Sequence, residues 1–176
     1  MVRILAFAGS TRKQSCNRRL IELVKDDAKV IDLKGYELPM YDGDLEAKHG
    51  LPGNAVRLKK LLAEHDALLL ACPEYNGSIT PLLKNTLDWI SRPSGDEPPA
   101  AAFQGKVAAL ISGSPGGYGG MRGLVHVRAI LGNMGVIVLP NQLAIPRAHE
   151  EFDDKTRAKV AAIVAALKSA TERLHA

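Results

Sequence analysis

Short apolar runs alternate with amphipathic stretches along this chain, and that alternation restricts its fold more than any other feature. Five short runs are mostly apolar, as strands buried on both faces are, and each precedes a stretch with helical spacing. The predicted strands are 2–8, 29–33, 67–72, 107–111 and 136–139. The predicted helices are 17–25, a helix capped by Asn54, a helix from Thr80 to Trp89, 121–134 and 153–174. Five strand–helix units in strict order predict an α/β fold, a flavodoxin-like three-layer αβα architecture around a five-stranded parallel sheet of order 2-1-3-4-5.

The composition is that of one ordinary globular domain spanning 1–176. The chain has 176 residues, of which 46% are hydrophobic and 24% charged, and no apolar run approaches the ~18 residues that span a bilayer. The apolar start is interpreted as a strand rather than a signal peptide, and the segment 34–53, which holds two prolines, as a long connection. Cys16 and Cys72 form neither a C-x-x-C pair nor a disulfide framework. A cytoplasmic protein with reduced thiols and no membrane partner is therefore expected.

The net charge of +4 is spread along the sequence. Proteins that bind nucleic acid usually concentrate basic residues on one stripe and interleave aromatic residues, so no nucleic-acid partner is expected. The charge is interpreted as an ordinary solvated surface, or alternatively as a weak attraction for anionic substrates.

Three loops are the candidate binding site, because ligands of open α/β sheets bind beyond the carboxyl ends of the strands. The first loop follows the first strand and contains Gly9, the hydroxyls of Ser10, Thr11 and Ser15, and the guanidinium of Arg12. This donor set suits a terminal phosphate monoester, whereas the P-loop and dinucleotide glycine motifs are absent. The alternative is an ordinary strand–helix turn in which Ser15 merely caps the helix.

The loops after the third and fourth strands would complete such a site. Tyr75 and Asn76, between a proline and Gly77, suit a flat heterocycle with polar edges, unless Tyr75 packs inward and Asn76 only shapes a turn. The segment 112–120 is rich in glycine and contains Tyr118. It indicates that some other group approaches the backbone closely, or alternatively that the loop is simply flexible.

Other catalytic chemistries lack their sequence signatures. Neither cysteine is followed six residues later by arginine, no G-x-S-x-G elbow is present, and the acidic cluster of a phospho-receiver is missing. The five histidines show no metal-ligand spacing, so no metal is expected.

Three motifs occur in order: G-S-x-R-x-x-S-x-N at 9–17, P-E-Y-N-G-S at 73–78 and L-K-N-x-x-D-W at 83–89. Together they resemble the NADPH-dependent FMN reductase family, the flavodoxin-like group that includes bacterial chromate, quinone and azo-dye reductases. The resemblance implies noncovalent FMN, with NADPH or NADH as co-substrate. The residues implied to contact FMN are Gly9, Ser10, Arg12, Ser15, Cys16, Asn17, Pro73, Glu74, Tyr75, Asn76, Gly77, Ser112, Gly113 and Ser114. The residues implied to contact substrate are Tyr75, Tyr118 and Arg122.

The resemblance also implies a mechanism and an assembly. Hydride would pass from NAD(P)H to FMN and then, in a ping-pong sequence, to a small-molecule acceptor: a quinone, free flavin, a ferric complex, chromate or an azo compound. No side chain need be catalytic, because FMN performs the redox chemistry. A homodimer or homotetramer is implied. One departure is a first helix about two turns shorter than is usual in the family.

Two rival functions use the same fold. A flavodoxin-type electron carrier is typically acidic, whereas this chain carries +4. A flavin-free module for protein–protein contact would gain no thermal stability from FMN.

Overall fold

Five parallel strands form the sheet of the computed structural model, which describes residues 1–175. The strands within residues 1–175 are β1 (Ile4–Ala8), β2 (Lys29–Ile31), β3 (Ala67–Ala71), β4 (Glu74–Tyr75), β5 (Ser78–Ile79), β6 (Val107–Gly113) and β7 (Ile137–Ile145). The α-helices within the same residues are α1 (Cys16–Glu22), α2 (Gly43–His49), α3 (Gly53–Ala63), α4 (Pro81–Ile90), α5 (Met121–Asn133) and α6 (Asp154–Leu174). The main sheet has the order β2-β1-β3-β6-β7, all parallel, and this confirms the predicted 2-1-3-4-5 topology.

The two faces of the sheet are covered by different helices because side chains alternate along each strand. In β1, Ile4 and Ala6 point into a core shared with α1 and α6, while Leu5 and Phe7 point into a core shared with α3, α4 and α5. Every residue of β1, β3 and β6 is buried. The continuous apolar runs in the sequence therefore reflect burial on both faces.

Helices α1, α2 and α3 differ from the prediction: α1 ends at Glu22 rather than residue 25, and α2 was not predicted at all. The segment 34–53 contains α2, which begins after Asp42, whose carboxylate accepts the N–H groups of Asp44 and Leu45 at 2.8 and 3.1 Å. Asn54 does not cap α3, because the helix already begins at Gly53 and the Asn54 amide donates to the Glu37 carbonyl at 2.9 Å. The cap that was predicted at Thr80 is present, with its hydroxyl accepting from the Leu83 N–H at 3.2 Å.

The L-K-N-x-x-D-W motif holds the connection 34–53 against α4. Asn85 donates to the Pro39 carbonyl at 2.8 Å and accepts the Tyr41 N–H at 2.7 Å. The Trp89 indole N–H donates to the same Pro39 carbonyl at 2.8 Å. These residues therefore act in packing.

Within residues 1–175 we find no helix that combines the length and the apolar character needed to cross a membrane.

Candidate active site

The loops after β1, β3 and β6 meet at one edge of the sheet and form an open cleft. The cleft is lined by Ser10, Arg12, Ser15, Cys16, Asn17, Pro73, Glu74, Tyr75, Gly113, Ser114 and Pro115. All of these except Pro115 belong to the predicted set. Of that set, Gly9, Asn76, Gly77 and Ser112 do not line the cleft, and neither do Tyr118 and Arg122.

Two buried hydroxyls lie in the first loop. Ser10 is 6% exposed and Ser15 is 5% exposed. The Oγ atom of Ser10 accepts the Arg12 N–H at 3.3 Å, and the Oγ atom of Ser15 accepts the Arg18 N–H at 3.4 Å. Within the described residues, neither hydroxyl donates its own proton. Ser15 is thus a helix cap, as the alternative interpretation held, but both hydroxyls also keep a donor for a ligand.

The three arginines near this loop differ in their bonding partners. Arg18 pairs with Asp32 at 2.7 Å. Arg19 donates to the carbonyls of the segment 148–150 and stacks on the Phe152 ring at 4.7 Å. Arg12 lines the cleft and has no carboxylate within ion-pair distance in the described chain. It is therefore the guanidinium that remains available to an anion.

The third loop is a β-hairpin, which the sequence interpretation missed. β4 and β5 pair antiparallel, and the two residues between them, Asn76 and Gly77, have φ angles of 50° and 81°. Positive φ at both positions is the requirement of a type I′ turn, and Asn-Gly is its preferred sequence. Tyr75 precedes the turn and is 46% exposed, so it does not pack inward.

Glu74 connects this hairpin to α5. Its carboxylate pairs with the Arg122 guanidinium, with an Nε–Oε1 distance of 2.7 Å, and accepts the backbone N–H groups of Arg122 and Gly123 at 3.0 and 3.3 Å. Burial alone would raise the pKa of Glu74, but the hydrogen bonds from Arg122 and Gly123 outweigh burial and hold the pKa below its ordinary value. Glu74 thereby supplies the cap that Gly120, at the start of α5, lacks.

We expect Glu74→Gln to lower the free energy of unfolding at pH 7 by about 1–3 kcal/mol, because a buried charge-assisted hydrogen-bond set is weakened. A lowered folded-state pKa stabilises the protein above the unfolded-state pKa, and this contribution is lost as pH falls through the folded-state value. Denaturant titrations from pH 7 to pH 3 should therefore show that the free energies of unfolding of wild type and Glu74→Gln become equal at acidic pH. A difference in free energy of unfolding that stays constant over that range would contradict a stabilising role for the ionised Glu74 carboxylate.

The glycines at the end of the fourth loop fit against the protein itself. A Cβ atom on Gly119 would lie 2.6 Å from the Ile145 nitrogen, and one on Gly120 would lie 2.0 Å from the Ser112 Oγ. Ser112 is fully buried and donates to the Cys72 carbonyl at 2.7 Å, so its hydroxyl faces away from the cleft. The close approach inferred from these glycines is therefore made by β6 and β7.

Tyr118 and Arg122 lie beside the cleft. Tyr118 is 67% exposed, and the Arg122 guanidinium lies 5.4 Å from its ring centroid. Because the guanidinium also pairs with Glu74, Arg122 presents a charge that is already partly neutralised.

The two cysteines have different surroundings: Cys16 lines the cleft, whereas Cys72 is buried. Cys16 and Cys72 are free thiols. Complete burial raises the pKa of Cys72 far above its ordinary value, so this thiol stays protonated. Residues 1–175 contain no cluster of three or more His, Cys, Asp or Glu side chains arranged to hold a metal ion.

The donor set of the cleft fits a phosphate monoester joined to a flat ring. Two hydroxyl donors and a guanidinium converge at the first loop, and a proline and an exposed aromatic side chain form the opposite wall. These are the groups that FMN would require for its phosphate and for its ring system.

Comparisons with known proteins point to flavin-dependent reductases. The family model described as NADPH-dependent FMN reductase matches residues 2–150. An NAD(P)H-dependent FMN reductase of Pseudomonas aeruginosa is 34% identical over 163 residues, which cover 89% of this chain and 84% of the relative. An NAD(P)H:quinone oxidoreductase of Solanum tuberosum is 36% identical over 137 residues, covering 74% of this chain and 67% of the relative. Among solved structures, the flavoenzyme NAD(P)H:(acceptor) oxidoreductase FerB of Paracoccus denitrificans superposes with a TM-score of 0.80 at 28% identity, covering 98% of both chains.

Proposed function

We propose, since this chain belongs to the NADPH-dependent FMN reductase family, that it reduces quinone-type acceptors with electrons from NAD(P)H. It is an oxidoreductase with FMN as cofactor and NAD(P)H as co-substrate. FMN held in the cleft would supply the redox chemistry between NAD(P)H and the acceptor, and we propose that the two half-reactions follow a ping-pong sequence.

One observation carries the placement of the cofactor in the cleft. Ser10 and Ser15 are buried hydroxyls whose protons have no acceptor in residues 1–175, and Arg12, whose guanidinium has no carboxylate partner there, lines the same cleft. We assign the phosphate of FMN to these three side chains. The ring would then lie along Pro73, Tyr75 and the start of the fourth loop.

The side chains of the cleft bind and orient, and none acts as acid or base. Glu74 is the carboxylate among the described residues of the cleft, and it is held by Arg122 and by two backbone N–H groups. It is therefore ionised at neutral pH, and its oxygens are already hydrogen-bonded to Arg122 and Gly123. The side chain of Tyr75 is exposed at the open side of the cleft. A flat ring can bind there, which suits the nicotinamide and then the quinone.

Quinones are proposed as the acceptor class because the site is flat, partly aromatic and open, and because several relatives are named quinone reductases. Steady-state turnover with benzoquinone, naphthoquinone, free FMN, ferric citrate, chromate and an azo dye tests this. The proposal requires the highest kcat/KM for a quinone. A higher value for any of the others would replace quinones with that class.

Anaerobic mixing with NADPH separates the reductase from an electron carrier of the same fold. The yellow colour of the reconstituted protein should bleach within seconds of mixing. Persistence of the colour with both NADPH and NADH would contradict the proposed function.

Tyr75→Ala is expected to keep the phosphate contacts of FMN but to change the flavin spectrum, because Tyr75 borders the proposed ring position. The KM for quinone should rise, since the aromatic wall of the open side is lost. Tyr75→Phe is the matched control, because it keeps the aromatic ring and should keep the wild-type KM. Wild-type kinetics and a wild-type flavin spectrum in Tyr75→Ala would remove Tyr75 from the site.

A second copy of the chain is the proposed partner. Tyr118, in the loop before α5, and Met121 and Val125, in its first turns, are 67%, 53% and 62% exposed. Such a patch of exposed apolar side chains is typical of an interface. The free thiols are consistent with a cytoplasmic location, which we also propose.

Val125→Glu is expected to weaken the dimer by about tenfold or more, since burial of an unpaired carboxylate opposes association. Sedimentation velocity over a range of protein concentrations measures this. Val56→Glu, an exposed apolar position on α3, is the control and should leave the assembly unchanged. A monomeric wild-type protein at 100 times the assay concentration would refute the proposed dimer.

A further inference from the structure

We propose that Asn17 is a positioning residue, which sets the distance between the phosphate-binding loop and the ring-binding end of β6. This inference rests on the proposed function, and it assigns to Asn17 a role different from that of a phosphate ligand. Three observations carry it: the bonds of the Asn17 amide, the packing around Gly113, and the contacts of the neighbouring residues of α1.

The Asn17 amide makes two hydrogen bonds to a single residue. Its Nδ2 donates to the Gly113 carbonyl at 2.8 Å, and its Oδ1 accepts the Gly113 N–H at 3.0 Å. The residue is 3% exposed. Because the donor and the acceptor are both engaged, the amide orientation is fixed by Gly113. One amide hydrogen remains for a ligand, so an experiment must separate direct contact from positioning.

Gly113 admits little movement at this contact. A Cβ atom on Gly113 would lie 2.9 Å from the Leu20 Cδ1 and 3.0 Å from the Ala148 Cβ. Helix α1 therefore packs directly against the end of β6, and the paired amide bonds hold the two together. The spacing between the two halves of the cleft is set at this contact.

Successive residues of α1 hold the helix to different elements. Asn17 reaches Gly113, Arg18 reaches Asp32 after β2, and Arg19 reaches the carbonyls of 148–150. Among these contacts, the Asn17 contact alone runs to a residue of the cleft lining. Arg18 is therefore a suitable control, because its ion pair holds the same helix from the opposite side.

The experiment compares three ligands that share parts of FMN. FMN has phosphate and ring, riboflavin has the ring alone, and inorganic phosphate has neither ring nor ribityl chain. A lost phosphate ligand weakens FMN and phosphate but spares riboflavin. A lost spacer weakens FMN, which contacts both halves of the cleft, but spares riboflavin and phosphate, each of which contacts only one half.

We expect Asn17→Ala to weaken FMN by about tenfold, while the affinities for riboflavin and for phosphate each stay within about twofold of wild type. The visible circular dichroism of bound FMN should change, because the ring lies differently against β6. Arg18→Met should leave the FMN-to-riboflavin affinity ratio and that spectrum at their wild-type values. Arg12→Ala, which removes an assigned phosphate contact, should weaken both FMN and phosphate while sparing riboflavin.

Loss of FMN and phosphate affinity with unchanged riboflavin affinity in Asn17→Ala would overturn the inference and make Asn17 a phosphate ligand. Unchanged affinities and spectrum would overturn it as well. Should Asn17→Ala fail to fold, Asn17→Ser is measured in its place, because its hydroxyl retains a partner for one Gly113 group. A wild-type protein that binds neither flavin would instead refute the proposed function, so the two failures are distinct.

Discussion

Arg12→Ala is expected to weaken FMN binding by about 1.5–3 kcal/mol, or roughly 10- to 150-fold, because it removes a charge-assisted hydrogen-bond donor from the phosphate. The guanidinium has no carboxylate partner within residues 1–175, so no ion pair of the protein is lost with it. The stability of the flavin-free protein should therefore stay within about 0.5 kcal/mol of wild type. Fluorescence titration of FMN and thermal melts of the apoprotein measure these two quantities.

Lys13→Ala is the matched control for this change. Lys13 neighbours Arg12 and carries the same charge, but it does not line the cleft. Both variants lower the net charge equally, so a general electrostatic effect would weaken FMN binding in both. Equal losses in the two variants, or an unchanged dissociation constant in Arg12→Ala, would remove Arg12 from the phosphate site.

The fold and the position of the site follow from the sequence because both depend on burial. Strands buried on both faces appear as unbroken apolar runs, and their order determines which loops share an edge. The runs 2–8 and 67–72 therefore brought Ser10 and Tyr75 to one cleft without any knowledge of contacts. The sequence does not predict in which direction each polar side chain of the cleft points.

Asn17, Glu74 and Ser112 show this limit. Asn17 and Glu74 were assigned to the cofactor by their places in the motifs, and Ser112 by its place in the fourth loop. Each directs its polar atoms to the protein: to Gly113, to α5 and to the Cys72 carbonyl. An amide or a carboxylate at the carboxyl end of a strand can satisfy a ligand or a neighbouring backbone group equally well. Only the distances between elements decide between the two.

The helix α2 and the hairpin were missed for a related reason. Both are stabilised by local turn chemistry: the Asp42 cap in one case and the Asn76-Gly77 turn in the other. Each element is short, and α2 has no buried residue, so the periodicity that revealed the longer helices is absent. The capping and turn signals were present in the sequence and were interpreted as parts of loops.

Gly119→Ala is expected to lower the free energy of unfolding by about 2–4 kcal/mol, among the larger effects of a single substitution. The added Cβ would lie 2.6 Å from the Ile145 nitrogen and 2.7 Å from the Ile145 carbonyl carbon, and backbone atoms cannot turn aside as a side chain can. The φ angle of 60° adds strain for any residue with a Cβ. Urea denaturation of the apoprotein measures the loss.

Gly117→Ala separates close packing from flexibility within the same loop. A Cβ atom on Gly117 would meet no heavy atom within 4 Å, so the substitution should change stability by less than about 0.5 kcal/mol. If the glycines served only to keep the loop flexible, both substitutions would have similar and small effects. A large loss of stability confined to Gly119→Ala would instead mean that packing against β7 determines where the loop lies. The edge strand β7, none of whose residues lines the cleft, would then help to shape the cofactor site.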